Sequence, residues 1–380
     1  MARPATTGPT AEEDHADRQT AWNVRGIALS PSPRTVGHEG CPKRMVFGPC
    51  GGVRPDGGCE MVDAPCAFDL PELPKLSELP ELSQLEIEPG MPPATMPTPT
   101  AVRAPQVLTD LSTPPADAAT LRTTARLLAG SCDAVLVGDH QDRPDFPPSI
   151  LARLIADVGV EPWVTLACRD RNRVVLQQEL QALALDRLAT VLCVTGDGRA
   201  FDVRPDVTQA FDLDGTRLAA LGASLGVPVA VAETPTARPT ALRPSRLVQK
   251  QQMGAGAGVL NHVPTQRQLA AFLDAALAAG LRMPVIASVV VFTDDRSASV
   301  LAALPGLSIR PERLETVLSA DDPVEAGIAA AVSEAVALLS LPGVAGVNLS
   351  GMASGRGVAE GAEVQAEVGR RVKEARGGVR

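Results

Sequence analysis

Four cysteines crowd the front of the chain: Cys41, Cys50, Cys59 and Cys66, separated by eight, eight and six residues. Thiolates ligate tetrahedral zinc and iron–sulfur clusters, and both centres accept four of them. The spacing lacks the paired C-x₂-C of a zinc ribbon. The four thiols nevertheless fall within 26 residues, among Gly48, Gly51, Gly52, Gly57 and Gly58, so the chain can wrap one centre. A piece spanning 37–69 with almost no aliphatic core needs such a staple to fold, and a metal module is expected there. A cluster implies electron delivery, whereas zinc implies structure or partner docking; the pattern leaves the two open. Cys132, Cys168 and Cys193 lie on or beside apolar runs and read as core thiols.

The remaining chemistry-bearing residues follow short apolar runs. These runs occupy 106–111, 133–138, 162–168, 190–195, 226–232, 256–260, 284–292 and 343–349, each bounded by Gly, Pro or polar residues, as buried parallel strands are. Amphipathic stretches alternate with them at 116–129, 147–157, 171–186, 214–224, 244–253, 265–280, 296–303 and 323–341. In 171–186, Val174, Leu176, Leu180, Leu183 and Leu185 are expected on one helical side. Eight strand–helix alternations over about 270 residues predict an α/β protein with a (β/α)₈ (TIM) barrel over 105–380. An open doubly wound sheet is disfavoured because no GxGxxG follows the first strand.

Barrels place their chemistry at the C-terminal strand ends. That rule selects Asp110, Asp139, His140, Cys168, Arg169, Asp170, Thr195, Gly196, Asp197, Glu233, Asn261, His262, Thr293, Asp294 and the run Ser350-Gly351-Met352. Acids outnumber cations in that set, which suits a developing positive charge.

Residues 1–36 read as a flexible leader and 70–104 as a linker, in which Leu70, Leu73, Leu76, Leu79 and Leu82 recur every third residue among prolines. That period suits polyproline II, either as a plain spacer or with its leucine edge along an apolar groove. A net charge of −9 and the absence of a dense Lys/Arg cluster argue against nucleic acid. No apolar run reaches membrane-spanning length and no signal peptide is evident, so a cytoplasmic protein with reduced thiols is expected. With 2% aromatic residues and no Tyr, a flat cofactor has to be held by backbone, aliphatic and polar groups.

Two segments carry a family resemblance. Thr165-Leu166-Ala167-Cys168-Arg169-Asp170-Arg171-Asn172-Arg173 with Leu176-Gln177, followed by Val191-Leu192-Cys193-Val194-Thr195-Gly196-Asp197, resembles the signature of methylenetetrahydrofolate reductases. Phe211-Asp212-Leu213-Asp214, and Lys250 with Gly254-Ala255-Gly256-Ala257, echo two further motifs in the same order. Cys41-Pro42-Lys43-Arg44-Met45, Gly48-Pro49-Cys50-Gly51-Gly52-Val53, Gly58-Cys59-Glu60 and Cys66 are similar to the cysteine-rich module usually C-terminal in that family, here placed ahead of the barrel.

The resemblance implies an oxidoreductase of one-carbon metabolism and methionine biosynthesis. It would reduce 5,10-methylenetetrahydrofolate to 5-methyltetrahydrofolate with NAD(P)H through a bound flavin, FAD or FMN. Asp197 matches the family aspartate near flavin and folate, although a TGD turn can also simply cap. Asp110 stands nearest the family's general-acid glutamate; an aspartate is the weaker proton donor at neutral pH unless desolvated. Asn261 and His262 replace a Thr-Gln pair that contacts folate and nicotinamide, and His262 is a second candidate acid. Thr165, Arg169, Asn172, Thr195, Gly196 and Lys250 are the implied cofactor contacts, with Arg199 beside them. Ser350 to Gly355 offer backbone donors for a phosphate. Two alternatives differ in class: an accessory folate- or metal-binding subunit docking an electron-transfer or methyltransferase partner, and a flavin-independent reductase. The resemblance also leaves room for a homo-oligomer.

Overall fold

The computed structural model describes residues 40–68, 101–198, 206–304, 307 and 309–377. The leader, the leucine–proline run at 70–82 and Arg199 lie outside them. Eight parallel strands close into one barrel in sequential order: β1 (Val107–Leu111), β2 (Ala134–Val137), β3 (Pro162–Ala167), β4 (Thr190–Val194), β5 (Val229–Glu233), β6 (Ala257–Leu260), β7 (Val285–Val290) and β8 (Val344–Ser350). Every predicted strand is present, and closure comes from β1 pairing with β8 through Leu108 and Asn348. Each strand is sandwiched between barrel interior and outer helices, which is why these segments are almost continuously apolar.

Six helices return the chain from strands 1 to 6: α1 (Ala118–Leu128), α2 (Pro148–Ala156), α3 (Arg173–Asp186), α4 (Gly215–Ser224), α5 (Arg243–Gln252) and α6 (Gln266–Ala278). Three lie between β7 and β8: α7 (Asp295–Ala302), α8 (Pro311–Leu318) and α9 (Pro323–Leu339). The ring is completed by α10 (Val358–Gly377), packed against α1 and β1. The sequence reading reached eight helices by counting α7 and α9 as separate units, and it missed α8 and α10. Starts are marked by side-chain caps: Asp117, Asn172, Asp214, Thr265 and Asp322 each accept from backbone N–H groups of the first turn. In α3 the buried stripe is Leu176, Leu180 and Leu183, whereas Val174 and Leu185 are exposed. Positions i, i+4 and i+7 share a face, and the other two fall off it.

Side-chain alternation sets what faces inward. Leu108, Trp163 and Ile286 fill the interior with Leu136, Leu192 and Val259. Two residues further along their strands, Asp110, Thr165 and Ser288 point the same way, into the C-terminal mouth.

The cysteine-rich segment is not a detached module. Gly37–Arg380 form one compact unit, and Met45, Phe47 and Phe68 are almost fully buried. The segment is hydrogen-bonded to the barrel through Val46 and Asp214, Arg44 and Arg217, and Cys50 and Arg243.

Candidate functional site

The mouth holds a cavity of about 330 Å³ lined by strand-end residues and, from above, by Lys43, Met45, Pro49–Gly52 and Glu60. Most strand-end acids are committed to structure. Asp139 accepts from Arg169 Nη2 (2.9 Å) and Arg171 Nη1 (3.1 Å). Asp170 accepts from Arg169 Nε (2.9 Å), and Asp294 caps α7 in a capping box. Glu233, buried, accepts from Lys250 Nζ (2.8 Å), Arg243 Nη1 (3.2 Å) and the Thr234 N–H (3.0 Å). Burial alone would raise its pKa, but Lys250 and Arg243 outweigh it and bring the carboxyl down to about 2. Such a group cannot donate a proton at neutral pH.

Asp110 and Asp197 are different. Asp110 Oδ1 accepts from Asn348 Nδ2 (3.0 Å), and Oδ2 faces the Gly351 N–H at 3.4 Å. With neutral donors alone against it, burial prevails and pushes its pKa up to about 6. Desolvation is the condition under which an aspartate becomes a proton donor near neutral pH. Asp197 lines the same cavity and accepts from Gln141 Nε2 at 3.4 Å. Burial raises its pKa, Lys43 and Arg169 oppose the rise, and Glu60 adds to it.

Other expected residues divide between cavity and scaffold. His262 is buried, lines the cavity and pairs through Nε2 with Glu334 Oε1 at 2.9 Å. Glu334 is ion-paired in turn with Arg313. Asn261 Nδ2 donates to Thr234 Oγ1 (3.0 Å) and also lines the cavity. Thr195 Oγ1 accepts from the Gly215 N–H (3.0 Å). Gly196 has φ +93°, and a Cβ there would lie 2.9 Å from that of Arg169, so the turn needs glycine. Asn172 is exposed, caps α3 and is not in the cavity lining. The Ser350–Gly355 run gives the Gly351 N–H to Asp110 and the Gly355 N–H to Asp294, so these donors serve carboxylates rather than a phosphate.

Of the residues expected to hold a flavin, Thr165, Thr195 and Gly196 line the cavity, whereas three others have partners in the scaffold. Arg169 is spent on Asp139 and Asp170, Lys250 on Glu233 and the Ala232 carbonyl, and Asn172 on its helix. The two basic groups expected beside a flavin are thus each neutralised by neighbouring acids.

Sequence reasoning missed Lys43, Glu60, Gln141 and Asn348. Asn348 had a legible signal, a polar residue at an inward position of β8. Lys43 and Glu60 had none, because their segment was read as an appendage.

The four thiols of Cys41, Cys50, Cys59 and Cys66 line a small cavity of about 20 Å³ within the 41–68 segment. Burial raises the pKa of Cys41 and Cys66 and takes Cys50 to about 12. As placed, no three ligating side chains among the described residues converge on a metal position. Four thiols are donors that zinc and an iron–sulfur cluster both accept. Cys132, Cys168 and Cys193 are buried, as expected of core thiols.

The geometry defines a (β/α)₈ barrel whose site lies at the C-terminal mouth under a cysteine-rich cover. The family model described as methylene-tetrahydrofolate reductase C terminal matches residues 33–90, which include that cover. No curated protein matches the chain. Among solved structures, an uncharacterized protein from Clostridium thermocellum that binds two copies of 5-methyl-5,6,7,8-tetrahydrofolic acid is similar in fold, with TM-score 0.54 and 13% identity over 73% of this chain and 97% of that one. An oxaloacetate acetylhydrolase aligns at TM-score 0.35 and 16% identity over 49% of this chain and 66% of its own. No helix among the described residues is long and apolar enough to cross a membrane.

Proposed function

We propose that this protein reduces the methylene bridge of 5,10-methylenetetrahydrofolate, taking hydride directly from NAD(P)H. The observation that carries this reading is the pairing, in one cavity, of Asp110, shifted to about 6, with Asp197, which has cations nearby. Burial raises both carboxyls, but neutral donors alone face Asp110 whereas cations oppose the rise at Asp197, and an acid and an electrostatic stabiliser need surroundings that differ in this way. Asp110, roughly a tenth protonated at pH 7, donates its proton to N10 as the C–N10 bond breaks. The electron pair of that bond goes to N10, and the carbon remains as an N5 iminium cation beside the Asp197 carboxylate. Hydride from the dihydronicotinamide adds to that carbon, giving the N5 methyl group and oxidised nicotinamide. Asp110 is then reprotonated from solvent. Asn261 and His262, across the mouth, orient the two ligands. A folate ligand is in keeping with the family model at 33–90 and with the ligand named for the clostridial barrel.

A zinc ion held by Cys41, Cys50, Cys59 and Cys66 would convert these thiols to thiolates and pin the cover in place. It has no part in the hydride transfer.

The deciding experiment is anaerobic purification, a visible spectrum, and an assay of NADH and NADPH oxidation with methylenetetrahydrofolate. Colourless protein with turnover supports the reading. A bound flavin required for turnover refutes direct transfer, and folate binding without turnover leaves an accessory binder.

A further inference from the structure

The 41–68 segment touches the barrel where Asp197 is presented. Lys43 is a nearly fully buried lysine (3% exposed) whose Nζ donates to the Gly196 carbonyl at 2.6 Å and pairs with Glu60. Glu60 Oε2 accepts from the Gly198 N–H at 3.0 Å. The two residues flanking Asp197 are thus each held by one member of a Lys–Glu pair from the segment. The Lys43 ammonium also lies 5.8 Å from the centre of the Phe211 ring.

The fit between segment and barrel is close at several further points. The Val46 N–H donates to Asp214 Oδ2 (3.2 Å), Arg217 Nη2 to the Arg44 carbonyl (3.0 Å), and Arg243 Nη2 to the Cys50 carbonyl (2.9 Å). Gly51 lies so near Thr234 that a Cβ would fall 2.7 Å from its hydroxyl oxygen. An appendage tethered for another purpose needs no such complementarity, and it does not bury a lysine at the edge of the cavity.

We propose that Lys43, delivered by the cysteine-rich segment, is a positioning residue of the barrel's site: it holds the turn that presents Asp197 and sets a positive charge against the desolvation of that carboxylate. The inference rests on the reading of Asp197 as the stabiliser of a cationic intermediate. Its physical basis is stated without that reading: a buried carboxylate drifts toward its neutral form unless a cation opposes the drift. Arg169, the other cation acting on Asp197, is already shared by Asp139 and Asp170. Glu60 acts in the opposite sense, so the balance at Asp197 depends on Lys43.

The test uses the full chain and the variants Lys43→Met, Lys43→Arg and the double variant Lys43→Met/Glu60→Gln. The aspartate carboxyl resonance of isotope-labelled protein that vanishes in Asp197→Asn is titrated in each. In Lys43→Met its midpoint moves up by about one pH unit, and Lys43→Arg returns most of the shift. Turnover in Lys43→Met falls about tenfold or more with KM changed far less, and the acidic limb of the rate moves with the resonance. Should Lys43→Met fail to fold because Glu60 is stranded, the double variant decides, with a smaller upward shift and the same loss of turnover. An unmoved Asp197 midpoint in a folded variant overturns the inference, whether or not the wild type turns over. A wild type without turnover but with a Lys43-dependent midpoint sinks the proposed reaction and leaves the electrostatic role standing.

Discussion

Asp110 and Asp197 face the same cavity from different sides of the barrel, and their surroundings are opposite in kind. On the β8–β1 side, Asp110 meets an amide, a backbone N–H and a nearby hydroxyl, all neutral, and no cation offsets its desolvation. On the β4 side, Asp197 is desolvated too, but Lys43 and Arg169 stand against the effect. In the proposed reaction, two copies of one residue type would take separate roles from what surrounds them. At Glu233 the balance goes the other way: two cations outweigh burial, bring the carboxyl down to about 2 and hold it ionised.

The contrast breaks most sharply at Asp197. Replacing Asp197 with Asn is expected to lower kcat about a thousandfold with intact folding, read from steady-state nicotinamide oxidation; turnover within a few-fold of wild type removes it from the mechanism. Asp110→Asn should lower the rate at pH 7 about a hundredfold and abolish the fall in rate as pH rises beyond about 6. The same change should stabilise the fold. The folded pKa lies above the unfolded value, so this group's contribution is fully present below about 3.8 and is lost as pH rises through about 6. At pH 8 the asparagine variant should therefore be more stable by ~1–3 kcal/mol, read from urea unfolding. A variant less stable than wild type at pH 8 would refute the desolvated-acid picture.

A gentler change sharpens the comparison. Asn348→Leu removes the donor that favours the Asp110 carboxylate, so the alkaline limb should move upward by about half a pH unit with a few-fold change in kcat; a downward move contradicts the assignment. The smallest effect on chemistry is expected from Cys50→Ser. Metal analysis should show zinc lost relative to wild type, with turnover reduced several-fold as the cover loosens. Unchanged metal content dismisses the four-thiol site.

Much of this arrangement was readable beforehand. The eight apolar runs marked all eight strands, because a strand buried on both faces has no polar alternation to obscure it. Asp110, Asp197, Asn261 and His262 were found by one rule, that polar residues at strand C-termini face the mouth. The same rule also selected Asp139, Asp170, Glu233 and Asp294, which turned out to be scaffold. A strand-end acid looks the same in sequence whether an arginine or a substrate lies opposite. Sequence is equally silent on the expected flavin contacts: Arg169 and Lys250 reach the cavity, and their ion-pair partners are close in space but not in sequence.

Local sequence determined the barrel, the order of its strands and the identities of the acids at its rim. Those follow from periodicity and from short-range caps such as Asn172 and Asp294, whose partners are a few residues away. Tertiary structure alone decided which acid burial shifts upward, which is clamped by cations, and that Lys43 and Glu60 line the cavity at all. Lys43 is separated from Gly196 by 153 positions. Acidity depends on burial and on charges within a few ångströms, and neither can be assigned until the chain has brought distant residues together.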